Sequence, residues 1–194
     1  MKPLNYESLP GLKKYLCGLY GTTIRYKPTA SEMRLLARFL DALGIADAGV
    51  WLRQYSTTLG RTIYLCRRLS DTRIRARDHA ATLAHEHAHV WIMDEMGGEA
   101  KYNAAYLDGS RRAIIEARCY LAGAEVYWNA MAAVGHQALP PLDLGDVLAD
   151  GYRCKAKDIK PAVRLYEQGC RLIQRGGIGT RPGQDVARYY GWIE

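Results

Sequence analysis

The chain has 194 residues, 48% of them hydrophobic and 24% charged, with 27 Lys and Arg against 20 Asp and Glu for a formal charge of +7. With a mean hydropathy of -0.25, it reads as one globular domain able to bury about 70% of its unfolded surface without disulfides or metal. That excludes a mainly disordered chain, a fibre and a membrane-spanning protein.

In chain order, an irregular or short helical start precedes Thr22 to Lys27 (TTIRYK), a run of strand formers stopped by Pro28. Thr29-Ala-Ser-Glu32 has capping-box spacing, and Met33, Leu36, Phe39 and Leu40 follow at helical intervals until Gly44. Val50 to Tyr55 and Arg61 to Cys66 read as strands parted by a turn at Gly60. A long helix is expected from Ser70 or Asp71, both good N-caps, to Met96, where Gly97 and Gly98 end it. A polar loop should run to about Gly109, and a second long helix from about Ser110 to Val134, stopped by Gly135. Beyond Pro140-Pro141 a helix is expected to start around Pro161, carrying Val163, Tyr166, Cys170 and Ile173. Arg175 to Gly183 (RGGIGTRPG) reads as a loop without the spacings of a nucleotide cradle. This order predicts an α+β fold: a short mixed or antiparallel sheet packed on a long helix, with a helical C-terminal part.

The densest basic stretch runs from Arg61 to Arg77 and reads as a solvated face. The five cysteines are scattered and form no CxxC pair, so a zinc ribbon or a thioredoxin-type site is not expected. They read as reduced, mostly buried apolar residues. The N-terminal stretch has no apolar core of signal-peptide length, which points to a reducing cytoplasm, from which a specialised secretion machine could also deliver the chain as an effector.

Four of the five histidines, His79, His85, His87 and His89, fall within eleven residues. At about 100° per residue, His85 and His89 share a helix face while His79 and His87 point elsewhere. Two neutral imidazoles one turn apart can grip a Zn²⁺ ion at about 2.0–2.1 Å. Glu86, turned about 100° from His85, is poorly placed as a ligand but well placed to take a proton from a water beside the metal. His85-Glu86-His87-Ala88-His89 is therefore an HExxH arrangement suited to metal-assisted hydrolysis, with Glu86 as the catalytic base.

A catalytic zinc keeps three protein ligands and one open position. Asp94 and Glu95 lie on other faces of a continuing helix, so the third ligand must come from another segment. Glu116 is the leading candidate, 27 residues beyond His89 near the start of the second long helix, a gap that allows an antiparallel return. Glu125 is the second candidate and His136 the third. Tyr120, one turn after Glu116, is placed to face the site and steady an oxyanion.

These residues resemble a family. The HExxH of His85 to His89, with Glu116-Ala117 on a following helix, looks like a gluzincin-type zinc metallopeptidase, and the strand pair and spacing are most similar to the compact ImmA/IrrE-like group. The resemblance spans residues 30 to 130. It implies a small zincin-like domain with His85, His89 and Glu116 on zinc, Glu86 as base, and a cytoplasmic peptidase often associated with cleavage of repressor proteins. Residues 1–194 are then one domain, with a catalytic core at 30–136 and a helical C-terminal extension at 137–194 packed on it.

The expectation is a zinc-dependent protease acting on protein or peptide substrates, held by β-addition to an exposed strand edge at Arg61 to Cys66. The alternative is a basic nucleic-acid-binding or phage-type accessory protein with a structural or vestigial zinc site, motivated by the Arg61 to Arg77 cluster. No helix-turn-helix, zinc-finger or RNP pattern accompanies that cluster, no membrane partner is expected, and the oligomeric state is left open.

Overall fold

Leu9, Leu12, Leu16 and Tyr20 recur at intervals of three and four, and the first helix, α1 (Leu9–Tyr20), buries that face before Gly21 turns the chain with φ 60°. A computed structural model of the chain describes residues 2–44, 47–177 and 179–193. Strand β1 (Thr23–Tyr26) follows and ends where Lys27–Thr29 tighten into a 3₁₀ turn around Pro28. The capping box does not form, because the Thr29 hydroxyl donates to the Tyr26 carbonyl, yet α2 (Ser31–Ala42) starts at the expected place and buries Met33 and Ala37.

The expected strand at Val50 to Tyr55 is instead a helix, α3 (Ala48–Gln54). Asp47 caps it by accepting the Val50 N–H at 2.8 Å, and Trp51 packs with Ala30, Met33, Ala37 and Tyr64. The β-formers lost to the cap and to a single buried anchor. The Gly60 turn joins β2 (Thr57–Leu59) to β3 (Thr62–Leu65). The sheet order is β1-β3-β2, with β1 parallel and β2 antiparallel to β3. The expected edge at Arg61 to Cys66 is therefore the centre of the sheet, because β1 and β2 occupy its two sides. Among the described residues, the outer edge of β2 pairs with no strand.

The first long helix, α4 (Ala76–Glu95), begins four residues later than an Asp71 N-cap would allow, since Arg73 grips the Asp71 carboxylate at 2.8 Å and Arg75 is the N-cap. It is buried on every side, against α1, β2, the second long helix and the C-terminal helix. The expected polar loop holds a further helix, α5 (Glu99–Leu107), which buries Tyr102 and Ala105. Asp108 then caps α6 (Gly109–Ala132) by accepting the Arg111 N–H at 2.9 Å. α6 lies along α4, and a Cβ on Gly123 would sit 3.2 Å from the Ala81 carbonyl oxygen, so the glycine allows the close approach.

A short turn, α7 (Leu144–Asp146), runs through a π-type turn at Val147–Gly151 into α8 (Ala156–Gln174). The helix starts five residues before Pro161, whose exposed position lets water meet the carbonyl its missing N–H leaves unpaired. The expected loop at Arg175 to Gly183, of which Ile178 lies outside the described residues, already contains the start of α9 (Arg181–Tyr190), capped by Thr180. The architecture is thus mixed α+β: one small mixed sheet on a central helix, surrounded by helices. No described helix is long and apolar enough to cross a membrane.

Candidate metal centre

Because α4 is regular through its middle, His85 and His89 project one turn apart, as their spacing requires, and their Nε2 atoms stand 3.3 Å from each other. Asp108 starts α6 so that Glu116, fully buried, arrives opposite them. Its Oε2 lies 3.5 Å from His85 Nε2 and its Oε1 3.7 Å from His89 Nε2. Ligands at about 2.0–2.1 Å around a tetrahedral ion are roughly 3.3–3.4 Å apart. The spacing therefore fits one small cation, and His85, His89 and Glu116 form a buried group able to hold a metal ion.

Two further observations bear on the fit. Tyr106 of α5 donates its hydroxyl hydrogen to Glu116 Oε1 at 2.5 Å, while Glu116 Oε2 is buried with no hydrogen-bond partner. An anionic oxygen left bare in the interior is costly unless a cation meets it. His89 Nδ1 pairs with the Tyr102 hydroxyl at 2.7 Å, with the Cys119 sulfur also 3.3 Å away; the tautomer with its proton on Nδ1 turns the Nε2 lone pair towards the cluster.

Electrostatics follow the same logic. Burial would raise Glu116, but the imidazoles of His89 and His85 hold its carboxyl below the ordinary range. Burial lowers His89. It also pulls on His85, where the carboxylates of Glu116 and Glu86 prevail and raise it. The cluster is an anionic carboxylate that wants a positive charge at its centre.

Glu86 stays out of the cluster. Its Oε2 accepts from the Thr58 hydroxyl at 2.8 Å, and the same hydroxyl lies 3.1 Å from the Glu86 carbonyl oxygen, so β2 pins the residue from above. The start of β2, one residue before Thr58, is itself held by a buried lysine. Lys27 Nζ donates to the carbonyls of Trp51 and Tyr55, both at 2.9 Å, and to the Thr57 hydroxyl at 2.7 Å, over the Trp51 ring. Desolvation lowers this lysine to about 7.

Two pockets meet at the cluster. One, of about 290 Å³, is lined by His85, Glu86 and Tyr120, with Pro140, Leu142 and Tyr152 contributed from beyond α6. The other, of about 280 Å³, is lined by His89, Glu116 and Tyr106 and opens between α2, α5 and β2. Tyr120 packs edge-on against His85 with ring centroids 4.4 Å apart, and burial keeps its hydroxyl protonated and able to donate.

The remaining candidates lie elsewhere. Glu125 accepts from the Thr180 N–H at 2.6 Å and its hydroxyl at 3.1 Å, with burial raising its carboxyl to about 7. Its carboxylate is wrapped by the glycine-rich turn, where a Cβ on Gly179 or Gly183 would fall within 2.3 Å of it. Glu125 is thus the anchor of α9, not a ligand of the cluster. His136 is exposed beyond the end of α6. His79 meets the Asp71 carbonyl at 3.0 Å. His87 spans Leu83 O at 2.7 Å and Thr22 Oγ1 at 3.0 Å, and desolvation lowers it to about 4. Asp94 and Glu95 pair with Arg61 and Arg118, each outside the cluster.

Sequence reasoning missed Thr58, Tyr102, Tyr106 and Tyr152. The four-residue spacing of Tyr102 and Tyr106, whose rings stack at 5.8 Å, was the one local signal available. Thr58 sits in a strand of three residues with no alternation to reveal it. No family model matches the chain, and neither does any curated protein or solved structure.

Proposed function

We propose that the chain is a zinc-dependent metallopeptidase of the HExxH kind. The observation that carries this reading is the division of labour on α4. His85 and His89 join Glu116 at tetrahedral spacing, and the intervening Glu86 is held out of that set by Thr58. Two imidazoles and a carboxylate, with His89 Nδ1 met by Tyr102 and Glu116 Oε1 held by Tyr106, are a donor set that suits zinc. Zinc held there would supply Lewis acidity, lowering the pKa of a water towards ~7 and polarising the scissile carbonyl.

The chain's own residues do the rest. Glu86 takes the proton of the attacking water at Oε1, the oxygen that Thr58 leaves free, and returns it to the amine nitrogen as the C–N bond breaks. Tyr120 donates its hydroxyl hydrogen to the oxygen on which charge develops. The outer edge of β2 offers backbone N–H and C=O groups to an extended substrate. Burial of the cluster under β2 and α5 excludes bulk water and strengthens each of these interactions.

The alternative, a basic nucleic-acid-binding protein, draws less support. Within the Arg61 to Arg77 stretch, Arg61 bonds Tyr20 O and Asp94, Arg73 grips Asp71, and Arg68 and Arg77 lie over the rings of Tyr26 and Tyr127. Tight, steeply salt-dependent DNA binding would favour it.

The test is elemental analysis joined to cleavage. The purified protein should carry about one zinc, lost in His85→Ala. Glu86→Gln should keep metal and fold while losing cleavage, and full activity in that variant would overturn the mechanism.

A further inference from the structure

The pocket on the Glu116 side of the cluster has a chemical character of its own. Besides the ligands His89 and Glu116, its wall contains no charged residue; Leu36, Phe39, Leu40, Trp51, Leu59 and Leu107 supply its apolar part, beside the uncharged polar groups of Ser56 to Thr58 and Asn103. Its volume of about 280 Å³ leaves room for a large apolar side chain. Exposed apolar side chains also lie on the elements that form the pocket. Leu35 (73% exposed), Phe39 (56%) and Leu43 (51%) recur every fourth residue along and just past α2, and Leu107 (59%) faces solvent from the end of α5. Large aliphatic and aromatic side chains left in water beside a pocket mark a recognition surface.

The occupant follows from continuity. The wall that holds Leu40 and Leu107 also holds two of the three proposed ligands and Thr57 to Leu59 of β2, whose outer edge pairs with no described strand. The pocket therefore borders both the proposed metal position and β2. A segment running along β2 sends alternate side chains towards and away from the sheet. A pocket set against β2 is placed to take one of the side chains on the near side. The opposite pocket differs: Arg67, Asp78 and His79 line it, so the two sides of the cleft read different chemistry.

We infer that the Leu36–Phe39–Leu40–Leu107 pocket is the specificity subsite, taking a large apolar side chain such as Leu or Phe of an extended polypeptide next to the bond at the metal centre. The inference rests on the peptidase reading for the bond but not for the pocket, whose selectivity is a matter of binding.

The experiment uses the zinc-loaded protein and small hydroxamates, which chelate a zinc ion whether or not the protein cleaves anything. N-acetyl-leucine and N-acetyl-phenylalanine hydroxamates should bind about 10- to 100-fold more tightly than the N-acetyl-aspartate analogue or acetohydroxamate itself. Phe39→Glu and Leu107→Lys alter exposed positions and should leave folding and acetohydroxamate affinity unchanged while collapsing the preference to within about threefold. Equal affinity for all side chains overturns the subsite, as does a preference that survives both substitutions. Failure of every hydroxamate to bind protein shown to contain zinc overturns the subsite and the open metal position together. A preference that is present and abolished as expected, with no cleavage of Leu- or Phe-containing peptides, overturns the peptidase reading alone.

Discussion

The phenol of Tyr106 donates to one oxygen of Glu116 across 2.5 Å, and the other oxygen faces His85 Nε2 at 3.5 Å with no hydrogen-bond partner of its own. A carboxylate held by one oxygen and left open at the other is oriented for a cation, and the Tyr102 hydroxyl does the matching work on His89.

Tyr106→Phe and Tyr102→Phe should therefore each weaken metal affinity by about 10- to 100-fold with little loss of packing, since only a hydroxyl is removed. Competition against a chromogenic chelator measures this. Affinities equal to that of the unsubstituted protein would reduce both tyrosines to packing residues.

Thr58→Val keeps the shape of the side chain and removes the hydroxyl that holds Glu86 Oε2 at 2.8 Å. The rate of peptide cleavage should fall about 10-fold, with zinc content and melting temperature retained and with Thr58→Ser restoring most of the loss. An unchanged rate would show that Glu86 is positioned by α4 alone.

Glu125 predicts a pH dependence of stability. Burial raises its carboxyl from 4.5 to about 7, so the folded chain holds the proton more tightly than the unfolded one. Stability from this group is greatest below pH 4.5, declines as pH rises through the folded pKa near 7, and is flat above it, a swing of up to about 3 kcal/mol. Glu125→Gln keeps an acceptor for Thr180 and has no proton to lose. In urea unfolding, its stability relative to the unsubstituted protein should rise between pH 5 and 8, and a constant difference would place the titration elsewhere.

Lys27 uses its three ammonium hydrogens on Trp51 O, Tyr55 O and Thr57 Oγ1. Lys27→Met fills the space but strands those acceptors, so the protein should lose about 2–4 kcal/mol and, with the start of β2 released, cleavage activity as well. Denaturant midpoints and rates measured on the same samples test both. A variant as stable as the original would leave Lys27 without a structural role.

The two long helices were legible because their signals are local. Gly97 and Gly98 end α4, as the glycine pair predicts. α5 was not legible: Glu99, Lys101 and Asn103 interrupt its apolar residues, and it holds its place by burying Tyr102 and Ala105 against its neighbours. α3 was misread because Val50, Trp51 and Tyr55 are good strand formers, while the decisive features are the Asp47 cap and the fit of Trp51 under α2. The glycines of Arg175 to Gly183 had no visible purpose until Glu125 was found inside the turn they form.

By itself the sequence determined how His85, Glu86 and His89 stand to one another, because backbone hydrogen bonds four residues apart set side-chain direction along a helix wherever that helix is placed. It also narrowed the third ligand to a short set led by Glu116, on spacing alone. Only the tertiary structure brought Glu116 against His85 and His89, sent Glu125 to the α9 turn, and made β2 rather than β3 the free edge beside Glu86. Those outcomes depend on how α4 and α6 close on each other and which strand the sheet leaves outermost. Both are set by packing between segments far apart in the chain, and no local pattern encodes them.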